Sequence, residues 1–246
     1  MAKSNPTWGE ERIAAELLLK LGVRLSPRTV GSYLPKDRGS GNRHRSQRWS
    51  TFVRNHAQAI LACDSFVTVT ANFRMPYVFV IMEVGSRRIA HVNVTALPTA
   101  AWTLQQFREV ISGERAHHFL IHDRDSIYSR DFDAALKAMG LTILKTPYQA
   151  PQANALCERL IGTIRRECLD FLIPLSESLR TILKEWVRHY NRGRPHSSLG
   201  PGIPQAGLRY RRVRHCGHRI PMHHRVMAKP ILGGLHHEYW LERRAA

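Results

Sequence analysis

Three apolar, β-branched runs, Ala59–Thr70, Tyr77–Val84 and Ile89–Thr95, follow one another with only six and four residues between them. Gaps that short leave no room for a crossover helix, so the three runs are expected to pair as an antiparallel meander. Beyond Thr95 the period changes. Helical spacing fits Thr99–Ile111, a strand fits His118–His122, and a second helix fits Ser129–Met139, closed by Gly140. A further strand fits Leu141–Thr146, and long helices fit Gln152–Leu172 and Leu175–Asn191. The order β-β-β-α-β-α-β-α-α predicts an α/β domain, with a mixed five-stranded sheet flanked by helices.

The 246 residues are enough for one catalytic-sized domain over 58–200 with pieces on either side. Charge separates those pieces. The chain carries a formal +18, distributed as +7 over residues 1–62, +4 over 63–200 and +7 over 201–246. A near-balanced centre between basic ends is expected of a folding, catalytic middle whose flanks follow a phosphate backbone. The longest apolar run, Tyr77–Met82, is far too short to span a bilayer, and no signal-peptide pattern opens the chain. The expected setting is therefore the cytoplasm, without a membrane partner. Cys63, Cys157, Cys168 and Cys216 show no paired spacing and are read as reduced, mostly buried thiols.

Residues 1–35 read as two short helices. Ile13, Leu17, Leu18 and Leu21 recur at helical spacing, Gly22 ends the run, and Ser26-Pro27 opens a second helix reaching Leu34. This outline fits a helix-turn-helix whose second helix offers Arg28, Thr29 and Ser32 to a DNA groove, although an ordinary helical hairpin has the same pattern. Residues 36–57 form a basic linker, with Arg43, Arg45 and Arg48 as backbone-contact candidates.

Three acidic residues are the candidates to carry chemistry, although each taken alone also fits a plainer role: a solvent-facing or satisfied acid at Asp64, a turn or helix-cap acid at Asp123 and a solvated helix face at Glu158. Asp64 stands among apolar neighbours inside the first strand, where a carboxylate is costly unless it is paired or ligates a metal. Asp123 falls at the carboxyl end of the strand 118–122, the usual place for ligands in such sheets. Glu158 flanks the apolar stripe Ala153, Leu156, Cys157, Leu160, Ile161, Ile164 of a helix, with Asn154 one turn earlier and Arg165 two turns later. Hard divalent cations take oxygen ligands, and a pair of them needs one bridging carboxylate and one more on each side.

The segments Ala62-Cys-Asp-Ser-Phe, Ile121-His-Asp-Arg-Asp-Ser and Thr146-Pro-Tyr-Gln-Ala-Pro-Gln-Ala-Asn-Ala-Leu-Cys-Glu-Arg resemble the Asp, Asp, Glu core of bacterial insertion-sequence transposases and retroviral integrases. The 34 residues between Asp123 and Glu158 are close to that superfamily's spacing. The helix pair from Trp8 to Leu34 and the segment His189-Tyr-Asn-Arg-Gly-Arg-Pro-His-Ser-Ser-Leu-Gly are similar to parts of the same transposases. The resemblance implies a ribonuclease-H-like fold, two Mg²⁺ or Mn²⁺ ions on Asp64, Asp123 and Glu158, and cleavage and joining of DNA ends. Double-stranded DNA is the implied partner, a homo-oligomer the implied assembly, and no small-molecule cofactor is called for. Two departures stand out: Arg124-Asp125 and Asn154-Ala155 occupy places where Asn-Gly is common. The alternative is a catalytically silent DNA-binding protein descended from a transposase.

Tyr148, Gln149, Asn154, Arg159, Arg165, Arg166 and Arg194 complete the candidate DNA contacts. His189 and His196 are read as ordering a helix end and a loop. The tail 201–246 is a basic extension with short strands at Val226–Leu232 and Tyr239–Leu241. Its His215, Cys216, His218, His223 and His224 match no common zinc spacing.

Overall fold

The computed structural model describes residues 10, 13, 14, 17, 23–34, 49–111, 117–123, 125, 127–146, 154–199, 202–205, 220 and 222–244. They fall into two compact units, Met1–Gln47 and Arg48–Ala246.

In the first unit, helix α1 (Pro27–Tyr33) starts at Ser26, whose hydroxyl accepts from the Thr29 amide at 3.1 Å. Val30 is buried with Ile13 and Ala14, and Leu17 and Leu34 pack against them. At Gly31 a Cβ would lie 2.7 Å from Glu10 Oε1, the tip of a flexible side chain, so a larger residue there would ask only that Glu10 turn aside. The residues 18–22 that hold the expected turn lie outside those described.

The second unit opens with helix α2 (Trp49–His56) and then builds a five-stranded sheet. Its strands are β1 (Ile60–Val67), β2 (Tyr77–Glu83), β3 (Ile89–Thr95), β4 (Phe119–His122) and β5 (Thr142–Lys145). The order is β3-β2-β1-β4-β5, with β1–β2 and β2–β3 antiparallel and β1–β4 and β4–β5 parallel. The meander and the mixed sheet expected from the gaps and periods are both present. The first strand ends at Val67 rather than Thr70, because Thr70 hydrogen-bonds Arg74 and closes a turn.

Helices cover both faces, which is why β2 is apolar at successive positions: Val78, Phe79, Val80, Ile81 and Met82 are all buried. On one face Phe79, Ile81 and Leu120 meet Phe107 of α3 (Ala100–Val110) and Phe132 and Leu136 of α4 (Arg130–Ala138). On the other, Ala62, Val80 and Ile121 meet Cys157, Leu160 and Ile164 of α5 (Ala155–Ile164) and Leu183 and Trp186 of α6 (Ser176–Arg192). Each fully buried side chain of this kind stabilises the fold by about 1.5–3 kcal/mol before the entropy of ordering is subtracted.

The single helix expected over Gln152–Leu172 is instead α5 followed by a π-helical turn, Arg165–Leu169, in which the Asp170 amide reaches the Arg165 carbonyl at 2.8 Å. The extra residue per turn turns Cys168 and Leu169 as well as Ile164 into the core. The tail forms an antiparallel hairpin, β6 (His224–Ile231) with β7 (His236–Arg243), longer than the two short strands expected. It anchors to α6 through Ile231 and Leu232 in the core and a 2.8 Å bond from the Leu232 amide to Glu185. Among the described residues no helix is long and apolar enough to cross a membrane.

Candidate active site

Strand register brings the first two carboxylates together. Ile60 pairs with Phe119 and Ala62 with Ile121, so two residues further along Asp64 is level with Asp123. Adjacent strands lie about 4.8 Å apart, and Ala62 and Ile121 both belong to the cluster under α5, so the two acids share that helix's face. Helix α5 is tied to the same point: Asn154, buried just before its first turn, donates from Nδ2 to the Cys63 carbonyl at 3.2 Å. Glu158 follows one turn later on an exposed position.

The electrostatics record this convergence. Burial raises the Asp64 carboxyl from 3.8 to about 7, against the lowering effect of the Ser65 amide, which donates to Oδ1 at 2.8 Å. The negative charges of Asp123, Glu158 and Asp125 push it up further. The Asp123 carboxylate accepts from the Asp125 amide at 3.0 Å, so Asp125 turns back toward the site through its backbone. Among the described residues no three His, Cys, Asp or Glu side chains are drawn tightly enough together to enclose a metal ion. The donor set nevertheless fits a hard divalent cation. It consists of carboxylate oxygens, one of them half-buried and raised to about 7 first by burial and then by neighbouring negative charge, both of which a cation would offset. Beside it, the buried Asn154 Oδ1 has no hydrogen-bond partner among the described residues.

Support for Asp123 comes from a group that sequence reasoning missed. His122 is fully buried, and its Nδ1 lies 2.6 Å from the Asp123 carbonyl oxygen, which can only accept. Its Nε2 lies 3.2 Å from Asp133 Oδ1 on α4, and Lys145 Nζ from β5 holds the other oxygen at 2.5 Å. The ring packs on Tyr128, centroid to centroid 4.5 Å, and burial pushes its pKa below the usual imidazole value. The sequence signal was a histidine in an apolar strand directly before an acid. Its two partners, 11 and 23 residues further along, are apparent only in the fold.

The candidate DNA contacts separate into several groups. Arg159, Arg165 and Arg166 are exposed along α5 and the π turn. Arg165 donates to the Val67 carbonyl at 3.0 Å with its guanidinium 5.0 Å from the Phe66 ring centre. Arg194 forks onto Glu167 at 2.6 and 2.8 Å, so its charge is already matched. Arg28 and Ser32 are exposed on α1, while the Thr29 hydroxyl is 2.7 Å from Ser26 Oγ. Arg43, Arg45, Arg48, Tyr148 and Gln149 lie outside the described residues. So do His215, Cys216 and His218 of the tail. His189 orders a helix end as expected, with Nδ1 3.0 Å from Glu238, and His196 bridges to Gly202 in the following loop.

Residues 139–204 match the family described as integrase core domain. The insertion element IS136 uncharacterized protein of Agrobacterium fabrum is 25% identical over 129 residues, 51% of this chain and 66% of that protein. The insertion element IS476 uncharacterized 39.2 kDa protein of Xanthomonas euvesicatoria is 39% identical over 80 residues, 32% of this chain and 22% of that protein. Transposase InsD of insertion element IS2 from Escherichia coli is 32% identical over 77 residues, 30% of this chain and 25% of that protein. The chain thus spans less than two thirds of these relatives. In fold, a chain of the simian T-cell lymphotropic virus intasome superposes with a TM-score of 0.51 at 12% identity, covering 77% of this chain and 79% of that one. The mixed sheet and its flanking helices have the ribonuclease-H-like arrangement that was expected.

Proposed function

We propose that this chain, integrase-like in its core and related to insertion-element transposases, is a DDE-type polynucleotidyl transferase that cleaves DNA ends and joins them to a target. The observation that carries the reading is the register of β1 and β4, which sets Asp64 level with Asp123 under the helix bearing Glu158. Asp64, Asp123 and Glu158 are the residues that would hold two Mg²⁺ or Mn²⁺ ions. Bound there, the ions would supply Lewis acidity for in-line displacement at phosphorus by water or a DNA 3′-hydroxyl.

The chain's own residues do the rest. Asn154 fixes the start of α5 against the Cys63 carbonyl and thereby sets the reach of Glu158. The Asp125 amide orients the Asp123 carboxylate. Arg159 and Arg166 offer exposed positive charge beside the site for the DNA backbone, and α1 of the first unit offers Arg28 and Ser32 for groove contact. Domain limits at 1–35, 36–57, 58–200 and 201–246, a homo-oligomer on DNA and a cytoplasmic setting complete the proposal.

The test is an end-joining assay with the source element's terminal-repeat duplex, Mg²⁺ and Asp64→Asn. Cleaved and joined products from the wild type alone support the assignment; equal joining by the variant refutes it. Among the described residues the acids do not by themselves enclose a metal ion, an arrangement also compatible with a silent DNA-binding descendant. Tight DNA binding by the wild type without any Mg²⁺- or Mn²⁺-dependent product would establish that second reading.

A further inference from the structure

The turn joining β2 to β3 directs an arginine into a recess. Its frame is tight: the Glu83 amide reaches the Arg88 carbonyl at 2.8 Å, Ser86 Oγ donates to Glu83 Oε2 at 2.6 Å, and the Arg88 guanidinium is paired with the same carboxylate. Within this frame Arg87 adopts φ 63°, a left-handed backbone that is costly for a long side chain. Arg88 thus has its acid, whereas Arg87 is half-buried with no carboxylate against it among the described residues. Burial lowers the Arg87 pKa from the ordinary arginine value, and the like charge of Arg159 lowers it further, against the raising effect of the Tyr190 phenol. Strain and a poorly solvated charge, both kept in place by surrounding structure, point to a role for the residue that bears them.

The recess has a volume of about 190 Å³ and is bounded by Arg87, by Arg159 of α5, by Tyr190 of α6, and by Arg194 and Ser198 just beyond that helix. It is smaller than the roughly 300 Å³ at which pockets for drug-sized ligands begin, and it suits a single small polyatomic ion. No Asp or Glu lines it among the described residues. The charge of Arg194 is already held by the fork onto Glu167, so Arg87 and Arg159 supply the surplus positive charge, and Tyr190 and Ser198 add hydroxyl donors. The recess stands apart from the carboxylates. The Val84 amide bonds the Ile60 carbonyl at 3.0 Å, which places the turn at the start of β1, roughly 13 Å along the strand from Asp64.

We infer that this recess is a phosphate-binding pocket, in which Arg87 and Arg159 grip the oxygens of one phosphate group and the Tyr190 and Ser198 hydroxyls complete its hydrogen bonds. A phosphate presents acceptor oxygens in three dimensions where a carboxylate presents two in a plane, and guanidinium forks match its edges. Its negative charge offsets the repulsion between the two arginines and replaces the solvation that burial takes from Arg87. Two sources offer this group, a DNA backbone and free phosphate. The pocket itself does not rest on the proposed strand transfer, and only the DNA source does.

Calorimetric titration of inorganic phosphate into the full chain, at an ionic strength held constant with NaCl, tests it. The wild type is expected to bind phosphate saturably. Arg87→Gly should weaken that binding at least about tenfold, as expected for loss of a charge-assisted fork, while melting no lower than the wild type because the left-handed turn suits glycine. Arg159→Gln should weaken it similarly, and Arg87→Lys less than Arg87→Gly. Arg130→Gln, on α4 at the opposite face of the sheet, should leave it unchanged. Duplex binding separates the two sources. A salt slope lowered by about one in Arg87→Gly assigns the pocket to the DNA backbone, and an unchanged slope assigns it to free phosphate. A wild type without saturable phosphate binding, or Arg87→Gly binding as tightly as the wild type, overturns the inference.

Discussion

Replacing Asp64 with asparagine should make the metal-free protein more stable. The carboxyl is raised from 3.8 to about 7, first by burial and then by the charges of Asp123, Glu158 and Asp125. At about 1.36 kcal/mol per pH unit, the full shift corresponds to roughly 4 kcal/mol against the ionised form. Partial solvent access and relaxation reduce this to on the order of 1–2 kcal/mol. The direction follows from linkage. The native state keeps its proton up to about pH 7 and the unfolded chain only to about pH 4, so stability falls as pH rises through that window. Above pH 7 the whole penalty is present. The substituted amide removes it and still offers a carbonyl oxygen to the Ser65 amide. Urea unfolding in EDTA at pH 5 and pH 8 is the assay. Asp64→Asn should exceed the wild type by about 1–2 kcal/mol at pH 8, and by less at pH 5. Added Mn²⁺ should stabilise the wild type and not the variant. Equal pH slopes, or a variant less stable at pH 8, would refute the reasoning.

Three other substitutions have defined outcomes. Asn154→Ala strands the buried Cys63 carbonyl, so urea unfolding should show a loss of about 1–3 kcal/mol, with joining activity falling further. His122→Leu removes the bridge from the Asp123 carbonyl to Asp133, and calorimetric Mn²⁺ affinity should drop roughly tenfold. Arg166→Gln should lower the salt dependence of DNA binding by about one phosphate contact, whereas Arg194→Lys should leave that slope unchanged and cost about 1 kcal/mol through the lost fork onto Glu167.

The sheet was legible in the sequence because gap length and period are local. The short gaps after Thr70 and Val84 required hairpins, and the later strands alternate with helices. Asp64 stood out as a candidate because an acid inside Ile60–Val67 is anomalous without a purpose, whereas Asp123 was a candidate by its place at a strand end and Glu158 chiefly through the family resemblance. The π turn was not legible, since helical spacing before Ile164 and after Arg165 differs by a single residue that apolar periodicity tolerates. The hairpin β6–β7 was read short because its exposed, charged positions mask the alternation. The His122–Asp133–Lys145 support depends on contacts between β4, α4 and β5 that no local pattern encodes. Arg194 illustrates the converse: an arginine in a basic protein suggests phosphate, yet Glu167 already holds it.

The central claim is that Asp64, Asp123 and Glu158 act as one divalent-ion site. Electron paramagnetic resonance titration of Mn²⁺ into the wild type and into Asp64→Asn, Asp123→Asn and Glu158→Gln tests it directly. Saturable binding by the wild type that each single substitution abolishes or sharply weakens is the predicted result. Wild-type binding that survives all three substitutions, or a wild type that binds no Mn²⁺, would contradict it.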